Sequence, residues 1–331
     1  MKFKIGYRTI KTALGTALSI ILAQYLGLHN FTSAGILTIL CIKVTKKRSL
    51  RASWDRILAC LIAMLFSSLF FELIGYHPLV IGLMLLVFIP VAVMARAADG
   101  IVSSSVIMLH IYSAGQVTAS LLVNELGIVL IGIGIALIMN LYMPSSDAKL
   151  EEYQIKIEEN FKRIFTEIAT FLRKGESDWG GEELTETAEW LERAKALASQ
   201  DVENNLLRNE NLYYQYFKIR EKQFEIIERV LPSITSIPHQ VEQGHLIAEF
   251  VEQLSKGVKP GNTVVYYLEK LYRMRTEFEG MELPKTREEF EARAALLHFV
   301  QEMEQYLLLK RSFKGLKTPA ETNQNPSKVV N

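Results

Sequence analysis

Apolar and polar positions divide the chain near residue 144. Before that point, long apolar runs alternate with short turns that contain His, Asn, Gly or Pro. The apolar runs cover about 10–28, 31–44, 57–74, 79–95, 101–117 and 126–143. A helix needs about 20 predominantly apolar residues to cross the hydrocarbon core of a bilayer, and most of these runs approach that length. The pattern predicts a bundle of six transmembrane helices arranged as three hairpins.

The second run is too short for an ordinary span, and charge decides how it is interpreted. Lys2, Lys4, Arg8 and Lys11 precede the first run, and a basic loop at 43–56 follows the second. Clusters of Lys and Arg are retained on the cytoplasmic side of a membrane. Two cytoplasmic ends require an even number of crossings, so the second run is predicted to be a short span and both termini to lie in the cytoplasm. The Lys11 side chain is expected to reach the headgroups.

Beyond residue 144 the sequence is densely charged and has helical periodicity without the alternation typical of strands. Helices are predicted at about 146–174, 182–200, 203–231, 234–256, 262–279 and 286–313. Gly175 and Pro232 break this pattern, and Thr286 with Glu289 forms a capping box. The whole chain is therefore predicted to be all-α. Its predicted domains are a transmembrane domain at 1–144, a cytosolic helical bundle at 145–315 and a disordered tail at 316–331.

Composition and motifs exclude several function classes. A formal net charge of +1 over 331 residues gives no reason to expect a nucleic-acid partner. Cys41 and Cys60 fall near the predicted cytoplasmic ends of helices, where thiols stay reduced. The sequence contains no Gly-x-x-x-x-Gly-Lys loop, no His-Glu-x-x-His and no Gly-x-Ser-x-Gly motif. We therefore expect neither an enzyme nor a cofactor.

One segment of the second domain carries residue types that bind metals. His239, Glu242, His245 and Glu249 include a Glu-x-x-His pair, which is half of a carboxylate-bridged di-metal site. This domain has no second Glu-x-x-His, and Gly244 weakens the helix between the ligands. A solvated helix face is the simpler interpretation, and no metal is predicted.

The predicted fifth helix places Asp99, Ser103, His110 and Ser113 on one face. Polar groups inside a membrane usually face the bundle interior or a wet path. His110 is the titratable side chain nearest the middle of a predicted span, and two interpretations of it are open. It is a proton-sensitive residue on a substrate path that includes Asp99 and Ser103. Alternatively, it is a neutral histidine bonded to a neighbouring helix, while Asp99 caps its own helix and pairs with Arg96.

Other polar and small residues of the membrane half have simpler interpretations. Glu72 and Glu125 lie near the outer ends of predicted spans and are expected to be solvated. Gly15, Ser19, Ala23 and Gly27 recur every fourth position along the first predicted helix. This spacing favours close packing against another helix over a role in lining a substrate path.

The basic loop is the segment of the chain best suited to contact an anionic ligand. Its candidate contacts are Lys43, Arg48, Arg51 and Arg56. A cluster of cations raises the local concentration of anions, but the same side chains also orient the chain in the membrane. We interpret these residues first as determinants of topology and second as contacts for a small organic anion.

An aromatic cluster is the most distinctive part of the second half. Tyr213, Tyr216 and Arg220 lie on or near one face of a predicted helix, together with Phe217 and Phe224. The favoured interpretation is a packed core with phenolic hydroxyl groups at its rim. The alternative is a pocket for aromatic or acidic compounds.

The order of several segments resembles that of a known family. These segments are Lys-Ile-Gly-Tyr-Arg-Thr-Ile-Lys-Thr-Ala at 4–13, Lys-Lys-Arg-Ser at 46–49, the basic stretch at 51–56 and Tyr-Tyr-Gln-Tyr-Phe-Lys-Ile-Arg-Glu-Lys-Gln at 213–223. With the short first hairpin, they resemble Bacillus-type members of the aromatic acid exporter family, within the fusaric-acid-resistance-like group of membrane proteins. The resemblance covers about residues 1–315.

The resemblance implies a multi-pass protein of the bacterial plasma membrane that exports aromatic or other organic carboxylic acids. Larger efflux members of the group have more than one block of spans, so two or more copies of this chain are expected to enclose a path. Two alternatives stay open. One is an organic-anion channel, and the other is a non-transporting scaffold or sensor whose cytosolic bundle binds partners.

Overall fold

The computed structural model describes residues 6–204, 211–237, 241–259 and 264–313. Within these ranges the chain forms twelve α-helices and one short 3-10 turn, with no strand. The predicted all-α class is confirmed. The chain divides into two compact units, the first comprising Met1–Pro144 with Glu203–Leu207 and the second Ser145–Val202 with Arg208–Asn331. The predicted tail at 316–331 lies outside the described residues.

The first unit contains one helix for each predicted apolar run. These helices are α1 (Tyr7–Tyr25), α2 (Thr32–Cys41), α3 (Lys46–Ile74), α4 (Pro78–Met94), α5 (Ile101–Ala114) and α6 (Ala119–Leu141), with a 3-10 turn at Ala98–Gly100. Among the described residues, α3 and α6 are long and apolar enough to cross a membrane, and α2 and α4 are shorter apolar helices. With 10 residues, α2 rises about 15 Å. The six-crossing topology stays a prediction.

The segment at 43–56 is predicted to be a loop. In the structure it is mostly the start of α3. The helix begins at Lys46, and the Thr45 hydroxyl caps it by accepting a hydrogen bond from the Arg48 backbone N–H. Lys, Arg, Leu and Ala are good helix formers, so the basic stretch extends the apolar helix by about three turns. Its cationic side chains are therefore held on a rigid element.

Small residues bring the helices of the first unit close together. Gly15, Ser19 and Ala23 form the buried face of α1, and a Cβ at Gly15 would lie 3.1 Å from Met139 Cγ. On α6, a Cβ at Gly132 would lie 2.6 Å from the Ala34 carbonyl oxygen. These contacts confirm the packing interpretation of the small-residue stripe.

Lys11 packs against the C-terminal end of α6. The side chain is buried, and its Nζ lies 3.4 Å from Asn140 Oδ1 and 4.8 Å from the centre of the Tyr7 ring. That Lys11 reaches the headgroups stays a prediction, since its partners Asn140 and Met143 lie at the C-terminal end of α6. Lys11 precedes Gly15 by four residues, so it shares the face that packs against α6.

The second unit is a bundle with a continuous aromatic and aliphatic core. Its helices are α7 (Asp147–Lys174), α8 (Glu182–Asn204), α9 (Leu212–Thr235), α10 (Glu242–Lys256), α11 (Val264–Glu279) and α12 (Arg287–Arg311). Helix α10 packs against α7, and α12 packs against α9. Their buried faces contribute Phe161, Phe165, Phe217, Phe250 and Phe299 to one core.

Local signals account for two helix ends of the second unit. Gly175 ends α7 with a φ of +78°. Thr286 caps α12 by accepting from the Glu289 N–H at 3.2 Å, while the Glu289 carboxylate accepts from the Lys285 N–H at 2.9 Å. The predicted break at Pro232 is wrong, because α9 continues through it to Thr235.

Two side chains explain why α9 does not stop at its proline. Leu231 and Ile234 are both buried, so the apolar face of the helix continues on either side of Pro232. A proline inside a helix removes one backbone hydrogen bond. Packing of the flanking side chains offsets that loss until the helix ends one turn later.

Candidate functional site

His110 and Glu125 form a hydrogen-bonded pair in the interior of the first unit. His110 Nδ1 lies 2.9 Å from Glu125 Oε2, and His110 Nε2 lies 3.3 Å from the Ser33 hydroxyl oxygen. The Glu125 side chain is 0% exposed and that of His110 is 16% exposed. Ser33 belongs to α2, His110 to α5 and Glu125 to α6. The pair therefore lies where three helices meet.

Asn124 completes the surroundings of Glu125. Its Nδ2 donates to Glu125 Oε1 at 3.3 Å and to the His29 carbonyl at 3.1 Å. Its Oδ1 accepts from the His29 backbone N–H at 2.7 Å. Both carboxylate oxygens of Glu125 therefore have partners, and Asn124 ties them to the turn that follows α1.

The expectation that Glu125 is solvated is wrong. Helix α6 begins at Ala119, seven residues before the start of the predicted apolar run. Glu125 consequently lies almost two turns inside the helix, on its buried face. Glu72, the other outer carboxylate, is exposed as expected, and its Oε1 accepts from the Tyr76 hydroxyl at 3.3 Å.

The other two candidates of the predicted polar face are separated from His110. Asp99 is exposed in the 3-10 turn. Ser103 is buried, donates to the Gly100 carbonyl at 2.9 Å and interacts with Cys60 of α3. The alternative role of Asp99 also fails, since Gly100 is the N-cap of α5 without a side-chain cap and no Asp99–Arg96 ion pair occurs among the described residues.

Arg56 is the one buried residue among the four basic candidates. Its side chain is 4% exposed, and Nη1 donates to the Ala52 carbonyl of its own helix at 3.0 Å. Nε has no hydrogen-bond partner, and within the part of the chain that the structure describes no carboxylate oxygen lies within 4 Å of the guanidinium. The buried hydroxyl of Ser53, one turn earlier, interacts with the Cys41 thiol. An unpaired buried donor or charge is costly, so Arg56 is a candidate for contact with a ligand.

The remaining basic candidates lie at the surface or make other contacts. Arg51 is exposed. Arg48 is largely exposed and pairs through Nε with Glu203 at 2.8 Å, within the same unit. Lys43 is half-buried, and its carbonyl accepts from Asn140 Nδ2 at 3.3 Å. None of the three has the buried and unpaired character of Arg56.

Cys60 lies on the same buried face of α3 as Arg56. It is buried, lies one turn after Arg56 on α3, and interacts with the Ser103 side chain. Arg56 and Cys60 therefore lie on one buried face of α3, and Ser103 of α5 lies against it.

In the second unit, Arg220 is buried at the centre of a network. It donates from Nε to the Tyr216 hydroxyl at 3.0 Å, from Nη1 to Gln223 Oε1 at 3.1 Å and from Nη2 to the Val258 carbonyl. The Tyr216 hydroxyl donates to Glu158 Oε1 at 2.5 Å, and burial raises the pKa of Tyr216. The guanidinium is thus satisfied by the protein, which favours a core role over a ligand pocket.

Tyr213 stands beside this network rather than in it. It is half-buried and stacks on Phe217, with ring centroids 6.1 Å apart. A cleft of about 420 Å³ lies elsewhere in the unit, between α10 and α11, and is lined by residues such as Phe250 and Tyr266. His239 lies outside the described residues, and no cluster of metal-binding side chains occurs within them.

Comparison with known proteins places both halves of the chain in one family. Residues 3–143 match the family model "Aromatic acid exporter family member 1", and residues 147–311 match "Putative aromatic acid exporter C-terminal domain". The chain belongs to the aromatic acid exporter family. The resemblance read from the sequence is confirmed, and membership assigns the chain to a family of membrane transporters.

Two individual proteins are similar to this exporter-family chain. The uncharacterized protein YqjA of Bacillus subtilis (strain 168) is 60% identical over 315 residues, which cover 95% of this chain and 98% of that protein. A solved structure described as "putative membrane protein from Clostridium difficile 630" aligns with a TM-score of 0.45 and 21% identity, over 49% of this chain and 97% of that one.

Proposed function

We propose that this protein is a secondary transporter that moves organic carboxylates, aromatic acids among them, out of a bacterial cell. Family membership supports membrane transport. The substrate class is inferred from Arg56, whose buried guanidinium has no carboxylate partner among the described residues. A substrate carboxylate would supply the missing partner.

The chemistry of Arg56 suits a carboxylate. Guanidinium binds carboxylate through two parallel hydrogen bonds, and Arg56 Nε is unoccupied. Ala52 and Ala59, one turn either side of it, are buried and offer apolar surface to the rest of the substrate. Binding of an anion would remove the cost of an isolated buried charge, so the site would select anions over neutral compounds of the same shape.

Access to Arg56 would be controlled by the turn at Ala98–Gly100. Gly100 lies against α3 so closely that a Cβ there would be 3.0 Å from Arg56 Cα and 2.7 Å from the Asp55 carbonyl oxygen. The turn therefore covers the arginine in this structure. A movement of this turn away from α3 would expose the guanidinium on one side of the membrane.

The proposed topology keeps six crossings, cytoplasmic termini and a homo-oligomer in the plasma membrane. Support comes from apolar side chains that are more than half exposed on five helices of the first unit: Ile21, Leu65, Leu86, Val102 and Leu130. A soluble protein rarely exposes apolar patches of that extent, whereas lipid would cover them. The remaining apolar surface also leaves room for a second copy.

Flux measurements on reconstituted protein test the proposal. Proteoliposomes would be loaded with a panel of labelled aromatic and aliphatic carboxylates, and efflux would be followed for wild type, Arg56→Gln and Arg51→Gln. We expect saturable efflux of at least one carboxylate, a loss of more than tenfold in Arg56→Gln, and little change in Arg51→Gln, the exposed control on the same helix. The proposal fails if wild type moves no carboxylate, or if both variants behave alike. Flux that does not saturate would instead indicate a channel.

A further inference from the structure

We propose that the exposed face of α3 binds an anionic phospholipid, whose phosphate lies between Lys47 and Arg51 and whose acyl chains begin at Trp54. The inference rests on one part of the proposed function, the crossing of a membrane by α3, and it does not depend on transport. All three residues are exposed, Trp54 to 66%. They follow one another about one helical turn apart, so they lie on one face of the helix.

The same face of α3 continues as an apolar stripe. Leu61, Leu65 and Leu69 recur at every fourth position and are 47%, 59% and 48% exposed. Leu61 lies two turns after Trp54, so the stripe is in line with the tryptophan. Arg56 is on the opposite, buried side of the helix. The cations, the tryptophan and the leucines therefore form one outer surface, separate from the proposed substrate contact.

The length of α3 matches that of a whole bilayer. With 29 residues, the helix rises about 43 Å, and a bilayer with its headgroups is about 40–45 Å thick. The part from Trp54 to the exposed Glu72 rises about 27 Å, close to the about 30 Å of the hydrocarbon core. A placement that keeps the leucine stripe in hydrocarbon consequently puts Lys47 and Arg51 among the headgroups.

Aromatic side chains lie at the same end of the first unit. Tyr7 of α1 and Tyr142 after α6 are both exposed, and their ring centroids are 6.0 Å apart. Lys11 Nζ lies 4.8 Å from the centre of the Tyr7 ring and 3.4 Å from Asn140 Oδ1. Asn140 Nδ2 in turn donates to the carbonyl of Lys43, just before α3, at 3.3 Å. Exposed tyrosine and tryptophan beside cations are typical of a membrane–water interface.

Charge favours an anionic headgroup over a zwitterionic one. Among the described residues, neither Lys47 nor Arg51 forms an ion pair, whereas Arg48, away from this face, pairs with Glu203 at 2.8 Å. Asp55 is half-buried at the edge of the face, so the exposed charges are positive. Each lysine or arginine near an anionic membrane surface strengthens binding by about fivefold. Phosphatidylglycerol complements the two cations, while phosphatidylcholine brings a cation of its own.

Quenching of Trp54 by brominated lipids tests the site. Full-length protein would be reconstituted in vesicles of equal parts phosphatidylcholine and phosphatidylglycerol, with bromine on the acyl chains of one lipid or the other. Bromine quenches a tryptophan that touches the labelled lipid, and the part of the quenching that is lost in Trp54→Phe belongs to Trp54. The ratio of the two quenching values gives the relative binding constant of the two lipids at this position.

We expect this ratio to favour phosphatidylglycerol by at least about threefold in wild type and to fall by about half or more in Lys47→Gln. Lys285→Gln, which alters an exposed lysine of the second unit, should keep the wild-type ratio. A wild-type ratio near one, or a ratio unchanged by Lys47→Gln, would overturn the inference and leave the crossing by α3 standing.

Two further outcomes separate the inference from the proposed function. Absence of Trp54 quenching by either brominated lipid would overturn both the lipid site and the proposed crossing by α3. A wild type that prefers phosphatidylglycerol in this assay but moves no carboxylate in the flux assay would support the lipid site and refute the proposed function.

Discussion

Gly100 packs directly onto α3, where a Cβ in its place would lie 2.4 Å from the Ala59 Cβ. The absence of a side chain thus holds the turn at Ala98–Gly100 over Arg56. Two Cβ atoms cannot approach to this distance, so any other residue would push the turn away from the helix. Gly100 joins the two features that the proposed function requires, a buried cation and a cover over it.

Gly100→Ala should loosen this cover. We expect a loss of about 1–3 kcal/mol of stability from overpacking, together with faster labelling of the buried Cys60 by a thiol reagent. Thermal unfolding and labelling kinetics in detergent would measure the two effects. Gly134→Ala is the matched control, because no atom lies within 4 Å of a Cβ there. Equal behaviour of the two variants would show that the turn does not depend on close packing at Gly100.

Arg56→Met should separate stability from function. The substitution keeps an unbranched side chain of similar reach but removes an unpaired buried charge, and replacing buried ionic groups by apolar ones often stabilises a protein by about 1–4 kcal/mol. We expect a higher unfolding temperature together with loss of carboxylate flux. Arg51→Met, at an exposed position, should change stability by less than about 0.5 kcal/mol. A destabilised Arg56→Met variant would indicate that the guanidinium already has hydrogen-bond or charge partners when the protein is in the membrane.

Helix positions were readable from the sequence because each depends on local pattern. Apolar runs gave the six helices of the first unit, and Gly175 and Thr286 marked ends that the structure has. The predicted run begins at Leu126 because Asn124 and Glu125 interrupt the apolar pattern, whereas α6 begins at Ala119. That error put Glu125 in solvent.

The site itself was less predictable, because it depends on which face of an apolar helix is buried. Lys11 is an exception, because it lies four residues before Gly15 and therefore on the small-residue face that packs against α6. His110 was identified as unusual, but its partners Ser33 and Glu125 come from other helices. Arg56 differs from the neighbouring Arg48 and Arg51 in being buried. This difference comes from the packing of Gly100 against α3.

Arg220→Ala should destabilise the second unit strongly. The change would leave Tyr216, Gln223 and Glu158 without the guanidinium that they contact. Breaking a buried charged network by removing one partner costs about 3–5 kcal/mol. Urea unfolding of the full chain would measure the loss, and Arg287→Ala, at an exposed ion pair, is the control. Retained stability together with lost binding of an aromatic acid would restore the pocket interpretation.

Lys310 should make the second unit more stable as pH rises above 8. Its Nζ donates to the Gly257 carbonyl at 2.6 Å, and burial lowers its pKa from 10.5 to about 8. Between these two values the unfolded chain binds more protons at this residue than the folded one, so the free energy of unfolding increases with pH. Above pH 10 the trend should reverse, because burial raises the pKa of Tyr306 to about 12 and the unfolded tyrosine loses its proton first.

A denaturation series can isolate the contribution of Lys310. Urea unfolding of a full-length Trp54→Phe background would be followed by the fluorescence of Trp179 and Trp190, both in the second unit. We expect stability to rise from pH 8 to pH 10 by an amount on the order of 1–3 kcal/mol and this rise to disappear in Lys310→Met. Lys285→Met, which alters an exposed lysine, should keep the rise. A rise that survives in Lys310→Met would assign it to another group.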